Sequence, residues 1–577
     1  MAMAQEVPAD FSDLPLSCPY TISRLLTAAG EPSATWLIRE RDQYGEYPHI
    51  YAKVCEGVEA ATGAKGQPST YKVIVLSDSG CGTEVINDIS PPPVRRTEGE
   101  KDDDHVVSRS RRSEPSRWNI HTFLLYTLNP GGCIPYMVIT SHCHYDHITG
   151  IGKLPPTGGY DHEHVSSTST SSDKTQDGAD RLRTTVLTSS LHKSFVTPYA
   201  NLQEHSLSAS VGLQAPRYSI TWAEDLSEAT WRWTRPAQKD AGISAAEVAI
   251  GARMTMIQTP GHTPDSLSWY DEDLALLFVG DSFYVKESPE TRSAPWGPEP
   301  PMPTMFDVEG DLADMWESIK KLLRFVRVKN EELKLNHDKH RATTDTVTTT
   351  AATDGGGGDD VQKNMIPHGE CENGRRRGGL TKRHPSTWYE AIPFFRSRGL
   401  AASQSQLGSQ SHLPVPHTRY TDDGWVMVDS HPGGGRGGAT TPSSQAPPRV
   451  QLAAAHTTAG GVDAEAAILS FREFLVLILR DEVPKKRVAD GFRGHETWLY
   501  DFALEESGGG QVKEEIDDGD DDDADPDAGI GPLSYLRQYS VQAPLTVIEE
   551  GKKRISEQEW MGMSEPSSSS SSSSSPS

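Results

Sequence analysis

The apolar run Tyr136-Met137-Val138-Ile139-Thr140 leads directly into Ser141-His142-Cys143-His144-Tyr145-Asp146-His147. This junction constrains the chain more than any other stretch. Three imidazoles and one carboxylate fall within six consecutive positions, His142 to His147. His and Asp are ligands suited to zinc and other first-row metals. In an extended segment His142 and His144 point to the same side, and Cys143 points the opposite way. Cys143 therefore reads as a packing residue. Asp146 and His147 follow where the chain must turn, so they can face a second point in space. One short loop can thus serve two adjacent ions, which a polar loop with chance histidines does not explain.

Four further apolar runs end in the same manner. Residues 71–76 lead to Asp78-Ser79-Gly80-Cys81-Gly82. Residues 252–258 lead to Thr259-Pro260-Gly261-His262. Residues 274–279 lead to Gly280-Asp281-Ser282, and residues 450–455 lead to His456-Thr457-Thr458. Short apolar runs bounded by turn residues read as buried strands. In layered α/β folds, sites often gather at the ends of such strands. Residues 312–323 and 464–479 carry apolar residues at helical spacing, the second beginning after Asp463 as a cap.

These segments resemble the metallo-β-lactamase superfamily. Its His-x-His-x-Asp-His motif corresponds to His142, His144, Asp146 and His147. Its Gly-His turn corresponds to Gly261-His262, its Gly-Asp step to Gly280-Asp281, and its last histidine to His456. Asp78-Ser79-Gly80 is similar to its Asp-Thr-Gly turn. The resemblance implies an α/β fold, a sandwich of two mixed β-sheets flanked by helices. It implies one metal ion, two Zn²⁺ in all with iron or manganese as alternatives, on His142, His144 and His262. The second would sit on Asp146, His147 and His456, with Asp281 bridging. Asp78 would brace a ligand imidazole from behind. Asp281 and His456 lie far apart in sequence. His412, His417 and His431 compete for the last position, but they sit in Ser-, Gly- and Pro-rich sequence rather than after a strand.

The chemistry implied is hydrolysis. Two metals can share a water, lower its pKa and take up developing oxyanion charge. Asp146 is the expected catalytic residue, orienting the attacking oxygen or passing its proton to the leaving group. No Gly-x-Ser-x-Gly motif occurs. A small lactone or thioester is the expected substrate. A phosphoesterase of the same fold and a catalytically silent metal-binding scaffold are the alternatives.

Composition bounds the rest. The 577 residues carry a formal net charge of −26, with ten acidic residues between Glu514 and Asp527. Phosphate binding depends on Lys and Arg, so no nucleic-acid partner is expected. Arg375-Arg376-Arg377 reads as a solvated loop. Low-complexity or charged composition marks residues 90–117, 155–182, 341–379, 401–448 and 507–530 as disordered insertions, and 564–577 as a disordered Ser-rich tail. They interrupt a single expected domain over 15–563. Asp161-His162-Glu163-His164 falls in one insertion and reads as solvated loop. Trp388, Tyr389, Phe394 and Phe395 form an aromatic island that either docks on the core or caps the site. Six scattered cysteines without a Cys-x-x-Cys pair argue against disulfide stapling. No signal peptide, membrane span or lipidation motif is read, so a cytoplasmic protein is expected.

Overall fold

The computed structural model describes residues 14–27, 30–58, 70–86, 114–156, 184–235, 246–286, 302–351, 419–420, 426–427, 447–488, 494–504 and 534–555. The chain forms two units, one of residues 1–339 with 442–577 and one of residues 340–441. Within the second, Arg419–Tyr420 pairs antiparallel with Val426–Met427.

Two mixed sheets face each other in the first unit. One has seven strands in the order Tyr20–Leu26, Pro32–Glu40, His49–Val58, Thr70–Ser77, Tyr136–Ile139, Thr184–Ser189 and Ile220–Ala223. The first four pair antiparallel, and Thr70–Ser77 begins a run of parallel pairings through the rest. The other has six strands in the order Glu228–Arg235, Ala246–Gln258, Leu267–Asp271, Leu276–Phe278, Gln451–Ala453 and Val462–Asp463. All its pairings are antiparallel except that of Leu276–Phe278 with Gln451–Ala453.

Side chains alternate across each strand and build one layer on each face. Leu37, Val73, Val75, Met137 and Ile139 point inward and meet Ile250, Met254, Met256, Trp269 and Phe278 of the opposing sheet. Ile38, Ile74, Leu76 and Val138 point outward and pack under the helix Ile120–Tyr126. Ile257, Leu277 and Leu452 pack outward beneath the helices Leu312–Ala351, Ala464–Leu479 and Leu545–Arg554. The result is a helix–sheet–sheet–helix sandwich, as the sequence predicts. All four residues of Tyr136–Ile139 are buried, which explains its unbroken apolar run. Lys53 Nζ lies 2.9 Å from Asp271 Oδ1 and ties the two sheets together inside this core.

The predicted helix at 464–479 is present, and Asp463 accepts from Ala466 N as its cap. The helix beginning at Leu312 runs on to Ala351, into the stretch read as a 341–379 insertion. Arg117–Trp118 pairs with Val85–Ile86 at the end of the 90–117 stretch. The paired strands Arg419–Tyr420 and Val426–Met427 fall within the 401–448 stretch. Apart from these and the described residues 114–116, 155–156 and 447–448, the rest of the expected insertions, the Ser-rich tail, Asp161–His164, Arg375–Arg377, the aromatic island and His412, His417 and His431 lie outside the described residues.

A small four-stranded sheet has no counterpart in the sequence reading. It orders Thr304–Met305, Val541–Pro544, Thr497–Tyr500 and Lys485–Arg487. Val541, Ala543 and Tyr500 join the core around the helix Ala464–Leu479. Through Met305 this sheet reaches the site described next. Among the described residues, no helix is long and apolar enough to cross a membrane.

Candidate metal centre

The strands Thr70–Ser77, Tyr136–Ile139, Ala246–Gln258, Leu276–Phe278 and Gln451–Ala453 each run toward the rim that carries the seven predicted residues. His142, His144 and His262 form one buried group. Asp146, His147, Asp281 and His456 form a second. All seven predicted ligand positions therefore converge.

Local backbone makes this possible. Gly261 has φ 148°, and a Cβ there would sit 2.6 Å from Met315 Cα. Gly280 has φ 54°, and a Cβ there would meet Ser141 Cβ at 2.6 Å. Only glycine fits either position, and each hands the chain to a site residue, His262 or Asp281. His144 precedes the short helix Tyr145–Ile148, which places Asp146 and His147 in its first turn.

In the first group, His262 Nε2 lies 3.2 Å from His142 Nε2 and 3.3 Å from His144 Nδ1. Two nitrogens each 2.0–2.1 Å from a tetrahedral zinc ion lie about 3.3 Å apart. In the second group, His147 Nε2 lies 2.9 Å from Asp146 Oδ2 and 3.4 Å from Asp281 Oδ2. His456 Nε2 lies 3.3 Å from Asp146 Oδ2 and 3.5 Å from Asp281 Oδ1. Asp281 Oδ2 also lies 3.9 Å from His262 Nε2, so this carboxylate stands between the groups.

The outer nitrogens decide the proton positions. His262 Nδ1 donates to Met305 O at 2.5 Å, and His456 Nδ1 donates to Glu46 O at 2.8 Å. A carbonyl only accepts, so both protons sit on Nδ1 in the neutral rings. Both Nε2 lone pairs then face the cluster bare. His147 Nδ1 lies 3.1 Å from Asp78 Oδ2, and Ser141 Oγ lies 3.0 Å from His142 Nδ1. Asp78 Oδ1 also accepts from Ser141 N at 2.6 Å, pinning the strand end from behind. Despite its close carboxylates, His147 Nε2 makes no aligned hydrogen bond, nor does the buried Asp281 Oδ1. Converging lone pairs and close but unaligned donor atoms are satisfied by a cation among them. The residues present therefore fit metal ions at both groups.

Charge separates the groups. Burial holds His142 well below the usual histidine range and pushes His144 down to about 3, with neighbouring imidazoles adding to both shifts. Burial also lowers His262. In the second group burial opposes charge, but the carboxylates Asp281 and Asp146 raise His147 and His456 well above that range. Those imidazoles in turn hold both carboxyls well below theirs, again against burial.

Sequence reasoning did not single out Ser141, Met305 or Glu46. Two of these act through a backbone carbonyl, which carries no residue signature. Cys143 is buried in the outer core of the first sheet.

Fold and side chains together define a hydrolase-like scaffold with a His/Asp cluster fit for metal. Residues 137–333 match the metallo-beta-lactamase superfamily model. The matched span includes six of the seven residues, and His456 lies beyond it. The chain is 25% identical over 264 residues to a protein of Aspergillus versicolor named "Putative transcription factor avaE". That alignment covers 46% of this chain and 57% of the relative, so the chain spans little more than half the relative's length. Among solved structures, an archaeal metallo-beta-lactamase superfamily protein from Sulfolobus tokodaii shares 15% identity. It covers 48% of this chain and 70% of its own, at a TM-score of 0.23. TTHA1623, solved in a di-iron-bound form, shares 14% identity over 48% of this chain and 82% of its own, at a TM-score of 0.21.

Proposed function

We propose that this chain is a hydrolase using two metal ions, zinc foremost, to cleave an ester-type bond of a small molecule, a lactone or a thioester. The observation supporting this most strongly is the convergence of buried donor atoms, three imidazole nitrogens in one group and two imidazole nitrogens with two carboxylates in the other. His142, His144 and His262 would hold one ion, Asp146, His147 and His456 the other, with Asp281 between them. Mixed imidazole and carboxylate ligation favours zinc, with iron and manganese as alternatives. Such a pair of ions, when bound, supplies an acidified water as nucleophile and an electrophile for developing oxyanion charge.

The chain's own residues supply orientation and proton handling. Asp146 Oδ2 is shared between His147 and His456, which fixes its carboxylate at the reacting centre. Asp146 would accept the proton of the attacking water and pass it to the leaving group. Asp78 holds the Nδ1 proton of His147 outward, keeping its Nε2 free for a ligand role. The A. versicolor relative's name would point to a transcriptional role. The formal charge of −26 works against phosphate-backbone binding, and the buried cluster has chemistry that such a role does not need.

Zinc-loaded full-length protein should be assayed against a panel of a lactone, a thioester, a β-lactam and a phosphodiester. Hydrolysis of the lactone or thioester is expected. Asp146→Asn should lower that rate by on the order of 10²-fold or more while circular dichroism stays unchanged. No turnover of any panel member, or an Asp146→Asn rate within a few-fold of wild type, refutes this role. Phosphodiester cleavage alone would move the assignment to a phosphoesterase.

A further inference from the structure

Pro32–Glu40 and His49–Val58 are joined by a hairpin loop organised around one carboxylate. Asp42 Oδ1 accepts from Tyr44 N at 2.6 Å, Gly45 N at 2.8 Å and Glu46 N at 3.3 Å. Its Oδ2 accepts from Tyr47 N at 2.6 Å. Four backbone donors thus close on one buried side chain, while Tyr47 is held at φ 48°. At the base of the hairpin, Glu40 N donates to Pro48 O at 3.2 Å.

The loop touches the second ligand group on two sides. Glu46 O accepts from His456 Nδ1 at 2.8 Å. The Glu46 carboxylate accepts from the Tyr145 hydroxyl, next in sequence to Asp146. Tyr44 and Tyr145 pack edge to face at 5.5 Å. The approach of the His456 segment is itself fixed by the following strand, where His49 N donates to Ala455 O at 2.7 Å. In the first group, the outer nitrogens of His142 and His262 face Ser141 Oγ and Met305 O instead.

We infer that Asp42 is a positioning residue that tunes the second ion site alone, by holding Glu46 O where it fixes the His456 tautomer. The inference rests on the two-ion reading. With Glu46 O in place, the His456 proton stays on Nδ1 and Nε2 remains a free lone pair. Without it, the imidazole is free to rotate or to place its proton on Nε2, which removes the ligand. Outer contacts of this kind change metal affinity by about 10- to 100-fold.

The test is a zinc titration of metal-free, full-length chain, with His147→Ala identifying the step that belongs to the second group. Asp42→Ala should weaken that step by about 10- to 100-fold and leave the other within a few-fold. Asp42→Asn keeps one acceptor oxygen and should weaken the same step less. It also decides the matter if Asp42→Ala does not fold. Glu46→Ala keeps the backbone carbonyl and loses only the contact to Tyr145, so it should weaken the second step less than Asp42→Ala; an equal or larger loss overturns the role given to Glu46 O. Equal weakening of both steps in the Asp42 variants, or an unchanged second step, overturns the inference. Wild-type protein that takes up fewer than two zinc ions overturns the two-ion reading itself. Two ions in wild type with an unchanged second step in Asp42→Ala sinks only the role of Asp42.

Discussion

The two ligand groups sit side by side yet are built on opposite principles. His142, His144 and His262 are three imidazoles that burial keeps neutral. Asp146, His147, Asp281 and His456 balance carboxylates against imidazoles that those carboxylates raise. The first group draws on two segments that continue buried strands, and its outer contacts run to Ser141 Oγ and Met305 O. The second draws on three segments, and its last histidine donates to Glu46 O in the hairpin loop around Asp42. The difference teaches that one fold can give adjacent ligand groups unlike charge and unlike mechanical support.

Asp78 offers the largest break in that comparison. Its Oδ2 faces His147, while its Oδ1 accepts from Ser141 N and supports the first group only through the backbone. Asp78→Asn can keep the bond to Ser141 but places an amide donor against the Nδ1 proton of His147. The variant should lose about 10- to 100-fold in affinity at the second site and little at the first, measured by zinc titration. Equal losses at both sites would erase the distinction drawn here.

A smaller effect comes from Glu40, behind the turn that braces the second group. Glu40 accepts from Cys81 N at 2.8 Å and Thr83 N at 2.7 Å, while Ser79 N donates to His147 O at 2.8 Å. Burial pushes the Glu40 carboxyl up to about 7, against its backbone bonds. The folded chain then keeps this proton over a range where the unfolded chain has lost it. Its contribution is fully present below the unfolded value of about 4.3 and fades as pH rises toward about 7. Wild type should therefore lose stability relative to Glu40→Gln across that window, by at most about 1.4 kcal/mol per pH unit. Denaturant midpoints of both proteins at several pH values check this, and a flat or rising difference contradicts it.

Much of this was legible in the sequence because strand and ligand alternate in register. Buried runs such as Tyr136–Ile139 are apolar throughout, and each hands its ligand to a turn at one rim. His456 stood out from His412, His417 and His431 because only it follows an apolar run. The helix Ala464–Leu479 announced itself by spacing and by Asp463. What stayed hidden had no pattern long enough to read. Thr304–Met305 and Lys485–Arg487 are too short for an alternation to register. Met305 O and Glu46 O act through backbone that any residue supplies. The Asp42 loop shows only as a polar stretch between two strands.

The central claim is that seven side chains hold two ions per chain. Elemental analysis of zinc-loaded full-length protein tests it most directly, run beside His147→Ala and His142→Ala. Two ions per wild-type chain are expected, with His147→Ala losing chiefly the second and His142→Ala disrupting the first. Wild-type protein that binds no metal, or a single ion after loading, contradicts the account.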